Sequence, residues 1–212
     1  MSATIEPVAI AILAKAPIPG FAKTRLIPAL GEAGAAALQA RLTERAVATA
    51  IAAGTGPVTL WAAPDARHPA FAELAARFGA SLAGQAEGDL GARMLAALAA
   101  ANGPALVIGT DCPVLTAEHL RAAADVLRKG TDVAVIPAED GGYALIGMRA
   151  PHPALFADMG WSSADVMDET RRRLTQLGLT WREPATLWDV DVPEDLARLR
   201  AAGLQHLIPA KT

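Results

Sequence analysis

The 212-residue chain has one cysteine, one tyrosine, 4 % aromatic residues and no excess of basic charge. A single cysteine excludes an internal disulfide, so a reducing cytoplasm is the expected setting. Net charge of −3 leaves no general basic surface for nucleic acid. The amino terminus has no charged region followed by a long apolar run, and Pro7 interrupts it. Neither a signal peptide nor a membrane span is expected. Four scattered histidines offer no zinc spacing. No Ser-His-Asp or Cys-His arrangement is evident. Cys112 has no basic neighbour to activate it and reads as a packing residue. The phosphate-loop spacing G-x-x-x-x-G-K-S/T and the dinucleotide fingerprint G-x-G-x-x-G are both missing.

What remains is 52 % hydrophobic, much of it alanine, which favours helices packed closely on a sheet. The length suits one domain over residues 1–212. Leu106, Val107 and Ile108 form an apolar run without alternation, as in a strand of a parallel sheet covered on both faces. Similar runs at 8–13, 58–63 and 132–137, with a short one at 81–83, alternate with helical stretches at 33–53, 70–78 and 116–129. The class is α/β with a mostly parallel central sheet flanked by helices. In helix 33–53, Leu38/Leu42 and Val47/Ile51 mark the packed face, and Arg41, Glu44 and Arg45 the solvated one. His68 receives no role. A helix after Ser162, capped by Ser162 with Asp165, runs to Leu177, and Arg171–Arg173 reads as solvated.

Ligands bind outside the carboxyl ends of strands in open α/β sheets. Thr110 and Asp111 stand at such an end. The loop after the first strand carries Lys15, Lys23, Thr24 and Arg25, whose cations and hydroxyl suit phosphate oxygens. Gln85, Gly88, Asp89 and Arg93 lie in a glycine-rich turn that enters a helix. That amino terminus could receive an anion or base edge, or Asp89 could simply cap it. Asp140-Gly141-Gly142 can be a plain hairpin turn, or a place where backbone approaches a ligand before Tyr143. Near the end, Asp191 with Glu194 fits a helix cap, which leaves Asp189 unexplained. Asp189 and Asp191 share one strand face by period two. With Asp111 they would offer oxygen ligands to a hard cation such as Mg²⁺ or Mn²⁺.

Six motifs occur in order: Lys15-x-Pro-x-Pro-Gly-x-x-Lys-Thr-Arg-Leu26, Gly88-Asp-Leu-Gly-x-Arg-Met94, Gly109-Thr-Asp-Cys-Pro-x-Leu115, Asp140-Gly-Gly-Tyr143, Trp161-Ser-Ser163 and Asp189-Val-Asp-x-Pro-Glu-Asp-Leu196. Together they resemble the selenodomain-associated transferase 1 family, also described as glycosyltransferases of arsenosugar biosynthesis. That family belongs to the nucleotide-diphospho-sugar transferase superfamily, with the glycosyltransferase-A fold. The third and sixth motifs are similar to those of 2-phospholactate guanylyltransferase and sugar nucleotidylyltransferases. The resemblance implies that Asp111 and Asp191 hold a divalent metal and that the first loop contacts phosphates. It places Gly88–Arg93 near the nucleotide. It puts Asp140, Gly141, Gly142 and Tyr143, with Trp161 and Ser162, on the acceptor side. Two departures stand out. The Gly-x-Gly-Thr-Arg of sugar nucleotidylyltransferases is missing from the first loop, and position 113 is proline where a glycosyltransferase Asp-x-Asp would end.

The leading expectation is metal-dependent glycosyl transfer from a nucleotide-sugar to a small acceptor, with Lys23, Arg25 and Asp111 at the reacting phosphates. The alternative is nucleotidylyl transfer from an NTP with release of pyrophosphate. A third possibility, of another class, is a nucleotide-binding regulator without catalysis. No nucleic acid or membrane partner is expected under any of them.

Overall fold

A computed structural model describes residues 6–161 and 163–210. The strands and helices alternate in chain order as β1 (Ala9–Lys15), α1 (Ile27–Ala53), β2 (Val58–Ala63), α2 (Pro69–Phe78), β3 (Ser81–Gly84), α3 (Leu90–Ala100), β4 (Ala105–Ile108) and α4 (Ala117–Arg128). Then come β5 (Val133–Pro137), β6 (Tyr143–Met148), α5 (Pro153–Phe156), α6 (Val166–Gln176), β7 (Trp181–Arg182) and α7 (Asp195–Ala201). The strands form one seven-stranded sheet in the order β3-β2-β1-β4-β6-β5-β7. Only β6 runs against its neighbours. This is the single mostly parallel α/β domain that the apolar runs imply.

Both sheet faces are covered, which is why β4 and β5 are buried throughout. Helices α1, α2 and α4 pack Val47, Phe71, Leu120 and Leu127 on one face. Helices α3, α5 and α6 pack Met94, Phe156, Met167 and Leu174 on the other. The chain leaves β1 towards β2 on one side and has β4 on the other, so the strand order reverses between β1 and β4. A crevice at that reversal is where such sheets bind ligands.

A third apolar cluster decides the position of the site. Leu26, Leu38, Leu42, Val190, Leu196, Leu199 and Leu207 bury one another beside the sheet. Burying Leu26 and Val190 fully is worth about 1.5–3 kcal/mol each. The cluster thereby clamps the segment after β1 against the segment before α7.

Several local expectations are corrected. Ile51 is exposed, so the packed stripe at the end of α1 runs through Val47, Ala50 and Ala53 instead. Arg45 is not simply solvated: its Nε donates to the Pro113 carbonyl. His68 caps α2, its Nδ1 accepting from the Ala70 N–H at 3.3 Å. Arg173 is mostly buried and donates to the carbonyls of Leu155 and Ala157. The expected cap at Ser162 lies outside the described residues. The stretch around Asp189 and Asp191 lies outside the strands; Leu187 alone bridges the sheet there, to Ala138. Among the described residues no helix is long and apolar enough to cross a membrane.

Candidate active site

Lys23 is the centre of the site. It follows β1 and precedes a single 3-10 turn, Thr24–Leu26, with φ 47° and ψ 48°. A non-glycine residue in this left-handed region costs about 1–3 kcal/mol and persists where its surroundings fix it. Here the fixing is visible. Buried Leu26 anchors the chain on one side, and the side chain is held by three acceptors on the other. The Nζ lies 2.6 Å from Asp111 Oδ1, 2.9 Å from Asp191 Oδ1 and 2.6 Å from the Val190 carbonyl oxygen.

Each carboxylate is placed by its own element. Asp111 follows β4 after Gly109 and Thr110. Buried Thr110 accepts from Gln39 Nε2 of α1 at 3.0 Å and donates to Asp111 Oδ1 at 3.4 Å. Asp191 is tied in by backbone: the Val190 N–H donates to the Asp111 carbonyl at 2.8 Å. The expected cap by Asp191 with Glu194 does not form. Asp195 Oδ2 instead accepts the N–H groups of Asp191 and Val192, at 2.8 and 2.9 Å. The Asp191 carboxylate is therefore free of capping and turns to Lys23.

The charges reinforce one another. The Lys23 side chain is 5 % exposed, while Asp111 and Asp191 are 46 % and 43 % exposed. Burial works against the ammonium, but the two carboxylates more than offset it and hold the Lys23 pKa above its usual value. Asp189 behaves differently. Burial, then the charges of Asp111, Asp140 and Asp191, push it up to about 7, with Lys23 opposing. Its Oδ1 is shielded and has no hydrogen-bond partner among the described residues. Beside it lies the Cys112 thiol, itself pushed up to about 12, mainly by burial and then by the Asp189 charge.

Arg25 reaches out from the same loop, 71 % exposed, its Nη1 4.0 Å from Asp191 Oδ2. Lys15, at the carboxyl end of β1, and Thr24 are exposed as well. Phe21, 80 % exposed, stands in the same loop.

The remaining expected residues form a second group. Gln85 spends both amide hydrogens on the carbonyls of Ala14 and Trp61, at 3.1 and 2.9 Å. It therefore stitches the ends of β1 and β2, and its oxygen faces Arg93 Nη1 at 3.5 Å. Arg93 Nε also donates to the Gly88 carbonyl. Asp89 does two things: Oδ1 caps α3 through the Ala92 N–H, and Oδ2 accepts the Trp161 indole N–H at 3.1 Å. Trp161 stands edge-on to Tyr143, with ring centroids 6.5 Å apart. The Tyr143 hydroxyl is buried and finds no partner among the described residues, and burial raises its pKa. Asp140 caps its own turn by accepting from the Gly142 N–H. At Gly141, φ is 93° and a Cβ would stand 1.9 Å from the Ala164 carbonyl oxygen, so a side chain is excluded there. Ser162 lies outside the described residues.

Lys23, Asp111 and Asp191 thus meet directly, with Arg25 at their rim and Asp189 behind them. The contributors that residue patterns did not reveal are Gln39, Asp195 and the Val190 carbonyl. Gln39 alone left a trace, as a polar residue next to Leu38 on a buried helix face.

The donor set is all hard oxygen, which suits a divalent cation of the magnesium type. Among the described residues, however, no group of three or more His, Cys, Asp or Glu side chains stands close enough to hold a metal ion. A cation held by Asp111 and Asp191 would complete its shell from phosphate and water, as Mg²⁺ commonly does.

Known structures share this architecture. A protein from Desulfovibrio desulfuricans G20, provisionally described as a nucleotide-diphospho-sugar transferase, is similar with a TM-score of 0.79 and 26 % identity, over 94 % of this chain and 97 % of that one. The CMP:2-keto-3-deoxy-manno-octonic acid synthetase complexed with CTP is similar at 0.57 and 14 %, over 95 % and 100 %. The 4-diphosphocytidyl-2C-methyl-D-erythritol synthase of Anaerococcus prevotii DSM 20548 is similar at 0.58 and 10 %, over 94 % and 99 %. At those identities the two synthetases speak for the fold alone; the Desulfovibrio match is the one described as a nucleotide-diphospho-sugar transferase, and the fold is of that kind. No curated protein matches the sequence. The family model described as uncharacterized protein conserved in bacteria, DUF2064, matches residues 46–163, more than half of the chain, and the chain belongs to that family.

Proposed function

We propose that this protein is a metal-dependent transferase that uses a nucleotide-activated donor. The observation that carries the reading is the meeting of Lys23, Asp111 and Asp191 at the point where the strand order reverses. A carboxylate pair beside exposed cations is an arrangement for a diphosphate with its counter-ion. Asp111 and Asp191 would hold the divalent cation, which would supply charge neutralisation for the diphosphate. Arg25, Lys15 and the Thr24 hydroxyl contact the outer phosphate oxygens, where guanidinium and ammonium groups stabilise charge on the departing group. Asp140, Gly141, Gly142, Tyr143 and Trp161 line the acceptor side.

The first reading is glycosyl transfer, in keeping with the resemblance to arsenosugar-type glycosyltransferases and the likeness to the Desulfovibrio protein. An acceptor oxygen attacks the anomeric carbon, the bond to the diphosphate breaks, and a nucleoside diphosphate leaves. The exposed Lys15 and Arg25 favour a second reading, because they would also suit pyrophosphate as a leaving group. There an acceptor phosphate oxygen attacks the α-phosphorus of an NTP, and the bond to the β-phosphate breaks.

A thermal-shift panel of NTPs and nucleotide-sugars, each with and without Mg²⁺, tests both. Metal-dependent stabilisation is expected from the true donor. Turnover that releases a nucleoside diphosphate supports the first reading, and pyrophosphate the second. Binding with no turnover of any acceptor would turn the assignment to a nucleotide-binding regulator. No stabilisation by any nucleotide would refute all of these.

A further inference from the structure

We propose that Lys23 is a resident counter-ion of the Asp111–Asp191 pair, and that divalent metal enters only together with phosphate groups that draw the lysine away. This rests on the nucleotide-transferase reading and adds an order of binding to it. An ammonium has three N–H donors. Lys23 faces three acceptors within 2.9 Å: two carboxylate oxygens and the Val190 carbonyl. None of its donors remains for a phosphate while that arrangement holds.

The same two oxygens, Asp111 Oδ1 and Asp191 Oδ1, are those best placed to share a cation, and an ammonium already lies between them. A dication on these oxygens would meet Lys23 at close range in a partly buried site. Repulsion there is screened far less than at an exposed surface. Metal alone therefore competes with the lysine. Phosphate changes the balance, because it brings negative charge and fresh acceptors for the ammonium. Lys23 can then pass from the carboxylates to phosphate as metal takes its place. Arg25 is the natural comparison: it is a cation of the same loop, 4.0 Å from Asp191 but exposed, and it blocks nothing.

The test is Mn²⁺ binding, read from the electron paramagnetic resonance of the free ion, in wild type, Lys23→Met and Arg25→Met. Without phosphate, Lys23→Met is expected to bind Mn²⁺ at least about tenfold more tightly than wild type, while Arg25→Met gains less than about threefold. With inorganic pyrophosphate added, wild type is expected to take up Mn²⁺ beyond what pyrophosphate removes from the free-ion signal in a protein-free control. A Lys23→Met protein no tighter than wild type, or no tighter than Arg25→Met, overturns the proposal.

The wild-type chain carries an independent measurement should Lys23→Met fail to fold. The Lys23 ammonium, shielded and hydrogen-bonded, should give a protected ¹⁵N resonance that Lys23→Arg removes. That resonance should stay in place with Mg²⁺ alone and move with Mg²⁺ and pyrophosphate together. Movement with Mg²⁺ alone overturns the proposal. The two layers fail differently. Mn²⁺ binding by wild type with pyrophosphate, but no gain in Lys23→Met, removes the role of the lysine alone. No Mn²⁺ binding by any protein under any condition removes the transferase reading and this inference with it.

Discussion

The Val190 N–H donates to the Asp111 carbonyl at 2.8 Å, and this bond sets the two site carboxylates side by side. It joins the end of β4 to the approach to α7, which are far apart in the chain. Lys23 then closes the triangle through the Val190 carbonyl on the other side of the same residue. The site is a knot of backbone and charge rather than a loose gathering of side chains.

Removing one corner should cost both stability and chemistry. Asp111→Asn leaves the ammonium with one carboxylate. Because Asp111 is nearly half exposed, the cost should be about 1–2 kcal/mol, well below that of a fully buried pair. Turnover should fall by about 100-fold or more. Urea unfolding and steady-state rates check the two effects. Full activity in Asp111→Asn would remove this carboxylate from the site.

Asp195 should matter although it touches no ligand group. Its carboxylate holds the N–H groups of Asp191 and Val192. Asp195→Ala should lower stability by about 1–2 kcal/mol, the range for a charged acceptor lost from a half-exposed turn. It should also weaken metal-dependent nucleotide binding, because Asp191 loses its fixed backbone. Asp195→Asn keeps one acceptor oxygen and should recover most of the binding. Equal losses for both variants in a thermal-shift titration would count against this positioning role.

Much of the fold could be read from the chain, because buried parallel strands announce themselves as unbroken apolar runs. Val58–Ala63 and 106–108 needed no partner to be recognised. Asp111 was legible for the same reason, as a polar residue just past a strand end. The pairing of Lys23 with Asp111 and Asp191 was not, because it depends on Leu26 and Val190 burying each other in a cluster that no local period reveals. Period two was no guide at Asp189 and Asp191, because that stretch is not in the sheet. Asp189 is buried beside Cys112, and the half-exposed Asp191 reaches Lys23. Trp181–Arg182 escaped notice because two residues cannot show a period.

Cys112 should be inert in the folded protein. Burial and the neighbouring Asp189 push its thiol up to about 12, against about 8.5 for an ordinary thiol. At pH 8 the thiolate fraction, and with it the rate of alkylation by iodoacetamide, should be about a thousandfold below that of the urea-unfolded chain. The sign for stability follows from the raised value. The contribution is fully present below the unfolded pKa and is lost as pH rises towards the folded one. Wild type should therefore lose stability between about pH 8.5 and pH 12 more steeply than Cys112→Ala. Rapid alkylation of the native protein would show that the thiol is not shielded.

Gly141 and Gly142 separate two meanings of one turn. A plain hairpin with this backbone would meet alanine at Gly141 with left-handed strain alone, about 1–2 kcal/mol. In the structure Gly141 has φ 93° and packs against the Ala164 carbonyl, and the Met167 N–H donates to the Gly141 carbonyl at 2.8 Å. Alanine there meets both left-handed strain and a backbone clash, so Gly141→Ala should cost about 2–4 kcal/mol. Gly142 has no positive φ, and its nearest obstacle is the Asp140 side chain at 3.3 Å, which can shift. Gly142→Ala should therefore stay within about 1 kcal/mol of wild type. Thermal unfolding of the two variants decides the matter. Similar melting temperatures would mean that the turn does not lean on the start of α6. In that case the link from Asp140 and Tyr143 to the 164–167 segment, on which the proposed acceptor side depends, would be lost.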